Sequence, residues 1–556
     1  MLFIFVHMRW SITAILLASA PAYAQENDAL RALLPTMKAD GTARPDTANV
    51  NSPELHQIET QTGNPLNSDD QSQQGIRVGS VLIETTAAID HAMFEKAIEP
   101  FLGSSATKQD LAKLAQQIAT IARSEGMMLA KAHIPEQQIE LGIVRVVLDS
   151  GMIDEVRIEG SSNTALRALL DPLAGRAVMQ NDLERRLALA NNIPQIVVKQ
   201  TELLTKGGKR TLIVKVEERS KTNGQLVFDN FGSSNLGPIR ARLSIETAAL
   251  LNDSDFMNVT FRTNPIDPGE LLAASVTYGI GLNNNGTRAE VATAWSKSNI
   301  KPSFGFGKRN AKSQYASLSV NHPLQRSRTS NLSVEGQFEY LKIEQDSLGA
   351  LLQSDTVVTV SVGLTSSQRV GNGWLRAGTQ LRQGLGILGA NERNATFSSR
   401  RDASGRFTSA RAWINWSGKP VGNMTLRLAV SGQVATTPLL SSEETGLGGA
   451  YIGRAFDFFE RSGDRGVLAL AELGYEFSEP AGWLKRLQPY AFVDGGYVDN
   501  IRGGFGGGTL ISAGGGIRAD IGAVGLQFET AIPVYATGDG GSSREPKVNL
   551  QVGLGF

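Results

Sequence analysis

Alternating apolar and polar residues dominate the chain from about residue 222 to its last residue. Residues 358–364 place valine or leucine at every second position, and residues 424–430 repeat the pattern. A period of two predicts a β-strand with one apolar and one polar face. Polar, glycine-rich connections of uneven length separate these stretches, which is typical of a transmembrane β-barrel with a polar lumen. At about 10 residues per spanning strand, residues 222–556 accommodate about sixteen antiparallel strands, although about fourteen or eighteen also fit this length.

Two tandem segments before the barrel mix helical and strand periodicities. In residues 76–151, a strand pattern is followed by a helix whose start carries Thr107 and Asp110 in a capping-box arrangement. Residues 152–219 repeat this order, with a helix that Asn181 is expected to cap. A strand pattern closes each segment. The repeat predicts two small α+β modules in tandem, each large enough for a modest core.

The N-terminal part of the chain carries a different kind of signal. Residues 8–24 contain Arg9, a short apolar run and small residues up to Ala24, which predicts a secretory signal peptide over residues 1–24. The apolar run is shorter than the ~20 residues of a spanning helix, which argues against a membrane anchor. Residues 25–75 are expected to form a short helix and then a polar linker, because their composition is too polar to build a core.

Composition narrows the classes of function. The 556 residues carry 54 Lys and Arg and 54 Asp and Glu, so the formal net charge is 0 and no binding of nucleic acid is expected. Cysteine is absent and the five histidines are scattered, which removes cysteine–histidine metal sites and leaves His322 alone to support a hydrolase triad in the barrel. The glycine-rich segment 503–510 lies between strand patterns, so it is a loop rather than a phosphate-binding motif. The sequence predicts no enzyme, cofactor or metal site.

The order of signal peptide, linker, two modules and barrel resembles the transporter subunit of two-partner secretion systems, the family that exports haemolysins and filamentous adhesins. The modules resemble polypeptide-transport-associated (POTRA) domains. Residues 134–151 are similar to the end of the first such domain, and residues 228–240 to the start of the first barrel strand. The resemblance implies a mostly β fold: POTRA 1 over residues 76–151, POTRA 2 over residues 152–219, and a transmembrane antiparallel β-barrel over residues 222–556.

The most specific similarity lies late in the barrel. Residues 448–466 resemble the family's long loop that folds back into the lumen and carries a Val-Arg-Gly-Tyr type tip. Arg454 stands in the place of the motif arginine and Phe456 in that of its aromatic residue. The neighbours depart from the motif, with Gly453 in place of valine and Ala455 in place of glycine. If the motif glycine needs a positive φ, Ala455 would be strained there, and Gly453 would supply that freedom instead.

A strand further along matches the family's Phe-x-Asp-x-Gly pattern through Phe492, Asp494 and Gly496. These residues share parity and therefore one face of the strand. A carboxylate is too costly to face lipid, so Asp494 is expected to point into the lumen. Arg454 is the natural partner, since a guanidinium can hold a carboxylate through two parallel hydrogen bonds. The alternative is that the two charges are solvated and unrelated.

The last residues of the chain, 546–556, form an alternating pattern that ends on Phe556. This strand is expected to pair with the first one and close the barrel. A terminal aromatic after alternating apolar residues resembles the signal that outer-membrane barrel assembly machinery reads. The alternative, that Phe556 anchors in the interfacial aromatic girdle, is compatible with this signal.

The resemblance as a whole implies a bacterial outer-membrane translocator, surrounded by outer-membrane lipid, with its POTRA domains in the periplasm. Its expected partner is a large secreted exoprotein. The POTRA domains are expected to recognise this exoprotein in its unfolded state and the barrel to export it, and haemolysin-type activation of the exoprotein is one possibility. Residues 27–34 match the family's plug helix in position. Two rival classes stay open. An assembly insertase of the same superfamily usually has more than two POTRA domains, and a passive porin or receptor needs none.

Overall fold

The computed structural model describes residues 75–85, 89–139, 141–233, 237–300, 309–502, 504, 506–538 and 545–556. The predicted signal peptide (1–24), the short helix at residues 27–34 and the linker up to residue 74 lie outside the described residues. Within the described part, contacts divide the chain after Arg219 into the two modules and the barrel, with Arg326–Arg328 grouped with the modules. No helix in this part is long and apolar enough to cross a membrane.

The first module is a three-stranded sheet packed against a helix. Its elements are β1 (Ile76–Arg77), β2 (Ser80–Glu84), α1 (Glu95–Ile98), β3 (Ser105–Ala106), α2 (Lys108–Ser124), β4 (Lys131–His133) and β5 (Ile143–Asp149). The sheet has the order β2-β5-β4, with β2 parallel and β4 antiparallel to β5. The short strands β1 and β3 form a separate antiparallel pair.

The helix α2 follows directly from its sequence. Thr107 Oγ1 accepts a hydrogen bond from the Asp110 amide at 3.2 Å, and Asp110 Oδ2 accepts one from the Thr107 amide at 3.1 Å, so the capping box is confirmed. One stripe of the helix is buried, and it consists of Leu111, Leu114, Ala115, Ile118, Ala119 and Ala122. Most of this stripe shares one apolar core with Val144, Val146 and Leu148 of β5.

The second module repeats the architecture. Its elements are β6 (Met152–Ile153), β7 (Glu155–Glu159), α3 (Thr164–Leu170), β8 (Arg176–Ala177), α4 (Gln180–Ala190), β9 (Ile196–Lys206) and β10 (Lys209–Glu218). The sheet has the order β7-β10-β9, with β7 parallel and β9 antiparallel to β10. Leucines of α3 and α4 pack on alternate residues of β9 and β10 to form its core.

The prediction that Asn181 caps the helix α4 is wrong. The helix begins at Gln180, its cap residue is Met179, and no side chain caps it. The Gln180 amide instead donates to the carbonyl of Gly126 in the first module at 2.8 Å, so an unpaired amide at the helix start is satisfied from outside the helix. The asparagine that does cap a helix is Asn163, whose Oδ1 accepts from the Leu166 amide at 2.8 Å at the start of α3.

The rest of the described chain forms a closed antiparallel β-barrel. Its wall strands are β11 (Thr222–Asp229), β12 (Arg240–Ala248), β13 (Phe256–Thr263), β14 (Leu271–Gly281), β15 (Arg288–Ile300), β16 (Arg309–Arg326), β17 (Ser330–Ser347), β18 (Ala350–Val370), β19 (Gly373–Gly384), β20 (Thr408–Gly418), β21 (Met424–Ala435), β24 (Arg465–Tyr475), β25 (Phe477–Ala481), β26 (Leu484–Asp499), β27 (Gly508–Ile521), β28 (Val524–Ala536) and β29 (Lys547–Gly555). A ribbon of β22 (Thr445–Leu447) and β23 (Arg461–Gly463) lies between β21 and β24, outside the wall order. Since β24 and β25 follow one another against β26, the described barrel has 16 strands, as predicted.

The barrel is apolar on its outside and polar on its inside. On β18, Val360 and Val362 are exposed whereas Thr359 and Ser361 are buried. This alternation is the reverse of that in a water-soluble domain and fits a wall that faces lipid.

The barrel closes between its first and last strands. Residues Gln225 to Asp229 of β11 pair with Gly555 to Gln551 of β29. Beyond the last paired strand residue, the Phe556 amide donates to the Gly224 carbonyl at 3.0 Å, and the Gly224 amide donates back at 2.7 Å. The strand that ends on Phe556 therefore closes the barrel, as the sequence predicts. The end of the barrel at which β11 finishes is called the outer mouth below.

Candidate functional site

The connection between β21 and β24, residues 436–464, folds back against the inner wall of the barrel; we call it the lumen loop. The ribbon of β22 and β23 forms its stem, and residues 448–460 form its tip. The tip turns at Gly453, which has a φ of +77°, and an added Cβ there would lie 2.9 Å from the Gly448 Cα. Ala455 is not among the residues with positive φ. Of the two alternatives left open by the sequence, Gly453 therefore supplies the conformational freedom.

Arg454, at the tip of the lumen loop, lies among three carboxylates of the barrel wall. Its Nε is 2.9 Å from Asp494 Oδ2, its Nη1 is 2.7 Å from Glu529 Oε2, and its Nη2 is 3.1 Å from Glu472 Oε2. The guanidinium also stacks on the Phe492 ring, with 4.0 Å to the ring centroid. Only 4 % of Arg454 is exposed, so its charge is balanced by the wall rather than by water.

Asp494 is held by the backbone of the loop tip as well as by Arg454. Its Oδ1 accepts hydrogen bonds from the amides of Gly453 at 2.7 Å and Arg454 at 3.3 Å, and it contacts the Ser512 hydroxyl. Arg454 and Asp494 form an ion pair through Nε and Oδ2, but the pair is not the expected two-pronged one. The other two guanidinium nitrogens reach Glu529 and Glu472, and the Nε–Oδ2 contact lacks hydrogen-bond alignment. The turn at Gly453 directs backbone amides at Asp494, which leaves the guanidinium to bridge three strands.

A second arginine completes this charge cluster. Arg518 of β27 contacts both oxygens of Glu472, at 2.7 and 3.0 Å, and stacks on the Tyr490 ring at 3.8 Å. The Tyr490 hydroxyl donates to Glu529 Oε2 at 2.8 Å. The sequence patterns did not indicate Glu472, Arg518 or Glu529 as residues of the site. The usable signal was a charged residue within an alternating apolar strand, because such a residue must face the lumen.

The remaining predicted residues contribute packing. Phe456 is buried in an apolar cluster with Phe492 and Tyr490 of the wall and with Ile452 of the loop. Gly496 lies where a Cβ would approach the Val467 carbonyl to 2.4 Å, so no side chain fits there. Phe492 and Asp494 are therefore brought together with the loop tip, whereas Gly496 lies against the neighbouring strand β24. Phe556 lies apart from this site, at the barrel seam.

The two ends of the lumen loop are tied together near the outer mouth. The buried Asp464 carboxylate accepts from the amides of Leu439 and Ile501, both at 2.7 Å, and from Arg400 Nη1 at 3.0 Å. Arg400 lies on the connection between β19 and β20, and it also contacts Glu444 Oε1 at 3.1 Å. The base of the loop is thus fixed to two neighbouring connections.

Comparisons with known proteins agree with this architecture. The chain matches the family described as haemolysin secretion/activation protein ShlB/FhaC/HecB over residues 208–519, and a ShlB-type POTRA domain over residues 76–151. It is 21 % identical over 388 residues to the heme/hemopexin transporter protein HuxB of Haemophilus influenzae, with 67 % of each chain covered. It is 22 % identical over 384 residues to the outer membrane transporter CdiB of Dickeya dadantii, covering 67 % of this chain and 68 % of that one.

Solved structures show the same fold. CdiB from Escherichia coli superposes with a TM-score of 0.79 at 17 % identity, covering 96 % of this chain and 99 % of that one. CdiB from Acinetobacter baumannii gives a TM-score of 0.69 at 18 % identity, covering 96 % and 98 %.

These findings define the class as an outer-membrane transporter of two-partner secretion, with its POTRA domains in the periplasm. The chain belongs to the ShlB/FhaC/HecB family of haemolysin secretion/activation proteins. Such transporters act with a secreted exoprotein partner. The fold class, the family and the location in the outer membrane predicted from the sequence are confirmed. Because the periplasmic modules precede β11 in the chain, β11 begins on the periplasmic side. The outer mouth, at which β11 finishes, is therefore the end that faces the cell exterior.

Proposed function

We propose that this transporter takes its exoprotein unfolded from the periplasm and exports it through the barrel lumen, with the lumen loop as the gate. The observation that carries the proposal is the buried position of Arg454 among three wall carboxylates. Such a cluster adds little net stability, but it specifies one position for the loop. The periplasm lacks a nucleotide energy source, so folding of the exoprotein outside the cell supplies the direction of transport.

The two modules, over residues 76–151 and 152–219, are the proposed receptors for the exoprotein. Each sheet has three main strands, so the orders β2-β5-β4 and β7-β10-β9 leave two edge strands in each module. An extended segment of the exoprotein can add to such an edge by main-chain hydrogen bonds. This mode of binding suits an unfolded substrate because it requires no folded surface on the partner.

The gate is tested by comparing Arg454→Ala and Asp494→Ala with the wild type. Removing one member of a buried ion cluster leaves the others uncompensated, at a cost of about 3–5 kcal/mol to the docked loop. Both variants should assemble but secrete about tenfold less exoprotein per folded barrel. Arg454→Lys keeps the charge, cannot span three carboxylates, and should be intermediate. Arg465→Ala is the matched control, because the Arg465 side chain is 55 % exposed in its pair with Asp499.

The outcome separates three possibilities. Wild-type secretion in both alanine variants would contradict a role of this cluster in the gate. Loss of the heat-modifiable barrel would assign the residues to folding instead. A barrel that inserts other barrels, or that conducts solutes without exporting any protein, would favour the insertase or the porin. The proposal assigns the chain no catalytic step. It would be contradicted if removal of the transporter left the amount of exported protein unchanged and altered only its proteolytic fragments.

Phe556 is the proposed recognition residue for the barrel assembly machinery, which inserts the chain into outer-membrane lipid. Its backbone pairs with Gly224, and 66 % of the residue is exposed, so its ring is accessible at the seam. Phe556→Ser should slow insertion and lower the amount of barrel in the outer membrane. Tyr535→Ser, which alters an exposed aromatic of β28, is the control. Unchanged insertion kinetics of Phe556→Ser at low expression would remove Phe556 from this role.

A further inference from the structure

The first limb of the lumen loop carries a buried carboxylate that the sequence did not single out. The Glu443 side chain is fully buried, with its Oε2 2.9 Å from Arg382 Nε and 3.7 Å from Arg411 Nη2. Its Oε1 accepts from Arg382 Nη2 at 3.2 Å. The Glu443 backbone carbonyl accepts from Arg411 Nη2 at 3.2 Å and from Gln433 Nε2 at 3.0 Å. Side chain and backbone of one loop residue are therefore both bound by the wall.

The wall around Glu443 is itself organised by buried hydrogen bonds. Arg382 of β19 forms an ion pair with Glu339 of β17. The Tyr315 hydroxyl of β16 donates to Glu339 Oε1 at 2.7 Å, and the Thr359 hydroxyl of β18 donates to Glu339 Oε2 at 3.3 Å. Together with Gln433 of β21, the wall around Glu443 spans β16 to β21, whereas Arg454 is bound by β24, β26 and β28. The loop is thus attached to two different sets of wall strands.

The two attachments have opposite polarity. At Arg454 the loop provides the cation and the wall provides carboxylates; at Glu443 the loop provides the carboxylate and the wall provides arginines. We infer that Glu443 is a second positioning residue of the gate, which together with Arg454 holds the lumen loop across the barrel. The inference rests on the proposed gating role of the loop. It predicts that release of either attachment lets the loop move and raises ion conductance, while export falls because it requires the loop in its defined position.

An uncharged contact supports this arrangement. Phe459, which follows the Arg454 tip, is buried in an apolar cluster formed by residues of β14, β15, β16 and β17. Phe458 packs against it with ring centroids 4.3 Å apart. The loop therefore touches the wall through a cation, a carboxylate and an aromatic ring on different sectors. Contacts of this kind on several sides fit a strap across the lumen better than a loop that leans on one wall.

Because the two attachments have opposite polarity, their loss should change the ion selectivity of the channel in opposite directions. A general loss of packing would not produce this difference. Glu443→Gln keeps the shape but leaves Arg382 and Arg411 facing Glu339 alone, which adds one positive charge to the lumen. Arg454→Ala removes the cation that faces Glu472, Asp494 and Glu529, which adds one negative charge to the lumen. The first variant should shift ion selectivity towards anions, and the second towards cations.

The experiment is single-channel recording of the full-length transporter in planar bilayers under a KCl gradient. Both variants should open several-fold more often than the wild type, with reversal potentials displaced in opposite directions. Glu344→Gln is the matched control, because the Glu344 side chain on β17 is 42 % exposed, and it should behave as the wild type. The double variant Arg382→Gln/Glu443→Gln restores the charge balance, so it should stay open but regain wild-type selectivity.

The result that would overturn the inference is a Glu443→Gln channel with wild-type opening and selectivity. If Glu443→Gln fails to give a heat-modifiable barrel, Glu443→Asp replaces it. This variant keeps the charge, so channel opening should rise without a change in ion selectivity. Wild-type opening of Glu443→Asp would also contradict the inference. Secretion is measured on the same samples. Open channels with unchanged secretion would reject the gating function while leaving the second attachment in place.

Discussion

The periplasmic modules and the barrel interior bury opposite kinds of side chain. In the modules, Leu114, Ile118 and Leu166 are fully buried, and a typical ion pair, between Lys113 and Asp110, has side chains 60 % and 36 % exposed. In the barrel, Arg454, Asp494 and Glu443 are buried, while valines such as Val362 face outward. The modules are stabilised by apolar surface removed from water, and the barrel by strand pairing in lipid.

This contrast separates stability from specificity. Apolar burial stabilises a fold without dictating which of several similar packings is adopted, whereas a buried ion cluster adds little net stability but penalises every arrangement that leaves a charge unpaired. For the proposed functions, the modules need a robust core and open sheet edges, and the barrel needs one defined position of the lumen loop. Changes in the two regions should accordingly fail in different ways.

The largest expected effect comes from removing the modules altogether. A chain lacking residues 76–219 should still form a closed barrel, because the pairing of β11 with β29 involves no residue of the modules. It should conduct ions but export no exoprotein above background. Measurements of heat-modifiability, conductance and secretion on one preparation check this. Continued export would exclude the modules from substrate recognition. The difference between modules and barrel would then concern stability alone.

A large effect on stability is expected from a cavity in the first module. Leu114→Ala removes a fully buried side chain and should lower the free energy of unfolding of this module by about 2–5 kcal/mol. Hydrogen exchange of the α2 amides in the full-length protein measures the loss. Gln117→Ala, on the exposed face of the same helix, should stay within about 0.5 kcal/mol of the wild type. Equal effects of the two changes would mean that the apolar core does not stabilise the module.

A smaller effect is expected at the start of α2. Thr107→Ala removes the hydroxyl that accepts from the Asp110 amide and should cost about 0.5–2 kcal/mol. Loss of amide protection at the first turn of α2 is the measurement. Gln116→Ala, at an exposed position of the same helix, is the control and should be neutral or slightly stabilising, because alanine has the higher helix propensity. A neutral Thr107→Ala would show that the capping box is dispensable.

The smallest expected effect is a dependence on pH at the same position. Hydrogen bonds from the Thr107 side chain and amide, together with Lys113, hold the pKa of Asp110 below its ordinary value of 3.8. A carboxylate with a lowered folded pKa stabilises the fold above its unfolded pKa, and this contribution is lost as the pH falls through the folded value. Protection of the first turn should therefore decrease below about pH 4. Asp110→Asn should abolish that decrease, and an identical acid profile in this variant would assign it to other groups.

Much of the fold could be predicted from the sequence because local rules determine it. Alternation predicted the strands and their inward and outward faces, and the Thr107–Asp110 spacing predicted the start of α2. The seven-residue helix α3 was missed because it is too short to show a periodic pattern. Asn181 misled the prediction, since the start of α4 is satisfied by the carbonyl of Gly126 from the other module.

The site was predictable only in part. Resemblance of motifs indicated Arg454 and Asp494, and parity placed Asp494 in the lumen. Neither could identify Glu529, which is 75 residues away from Arg454 along the chain. Alternation predicts which face a residue lies on, but the stagger between strands decides which residues of neighbouring strands lie at the same height. The ion pair of Arg454 and Asp494 was predicted, but its two-pronged geometry was wrong, because the two further carboxylates at that height were unknown.

The tie between Leu439 and Asp464 sets the reach of the lumen loop. Because the Leu439 amide and Arg400 both bind Asp464, residues 440–463 would keep their ends fixed at the outer mouth if all their wall contacts were released, which include those of Arg454, Glu443, Phe456, Phe459 and Arg461. Two limbs of about twelve residues each extend to about 40 Å, more than the ~25 Å height of the apolar band of such a barrel. A released loop is therefore long enough to swing completely out of the lumen and stand on the cell surface without any rearrangement of its base.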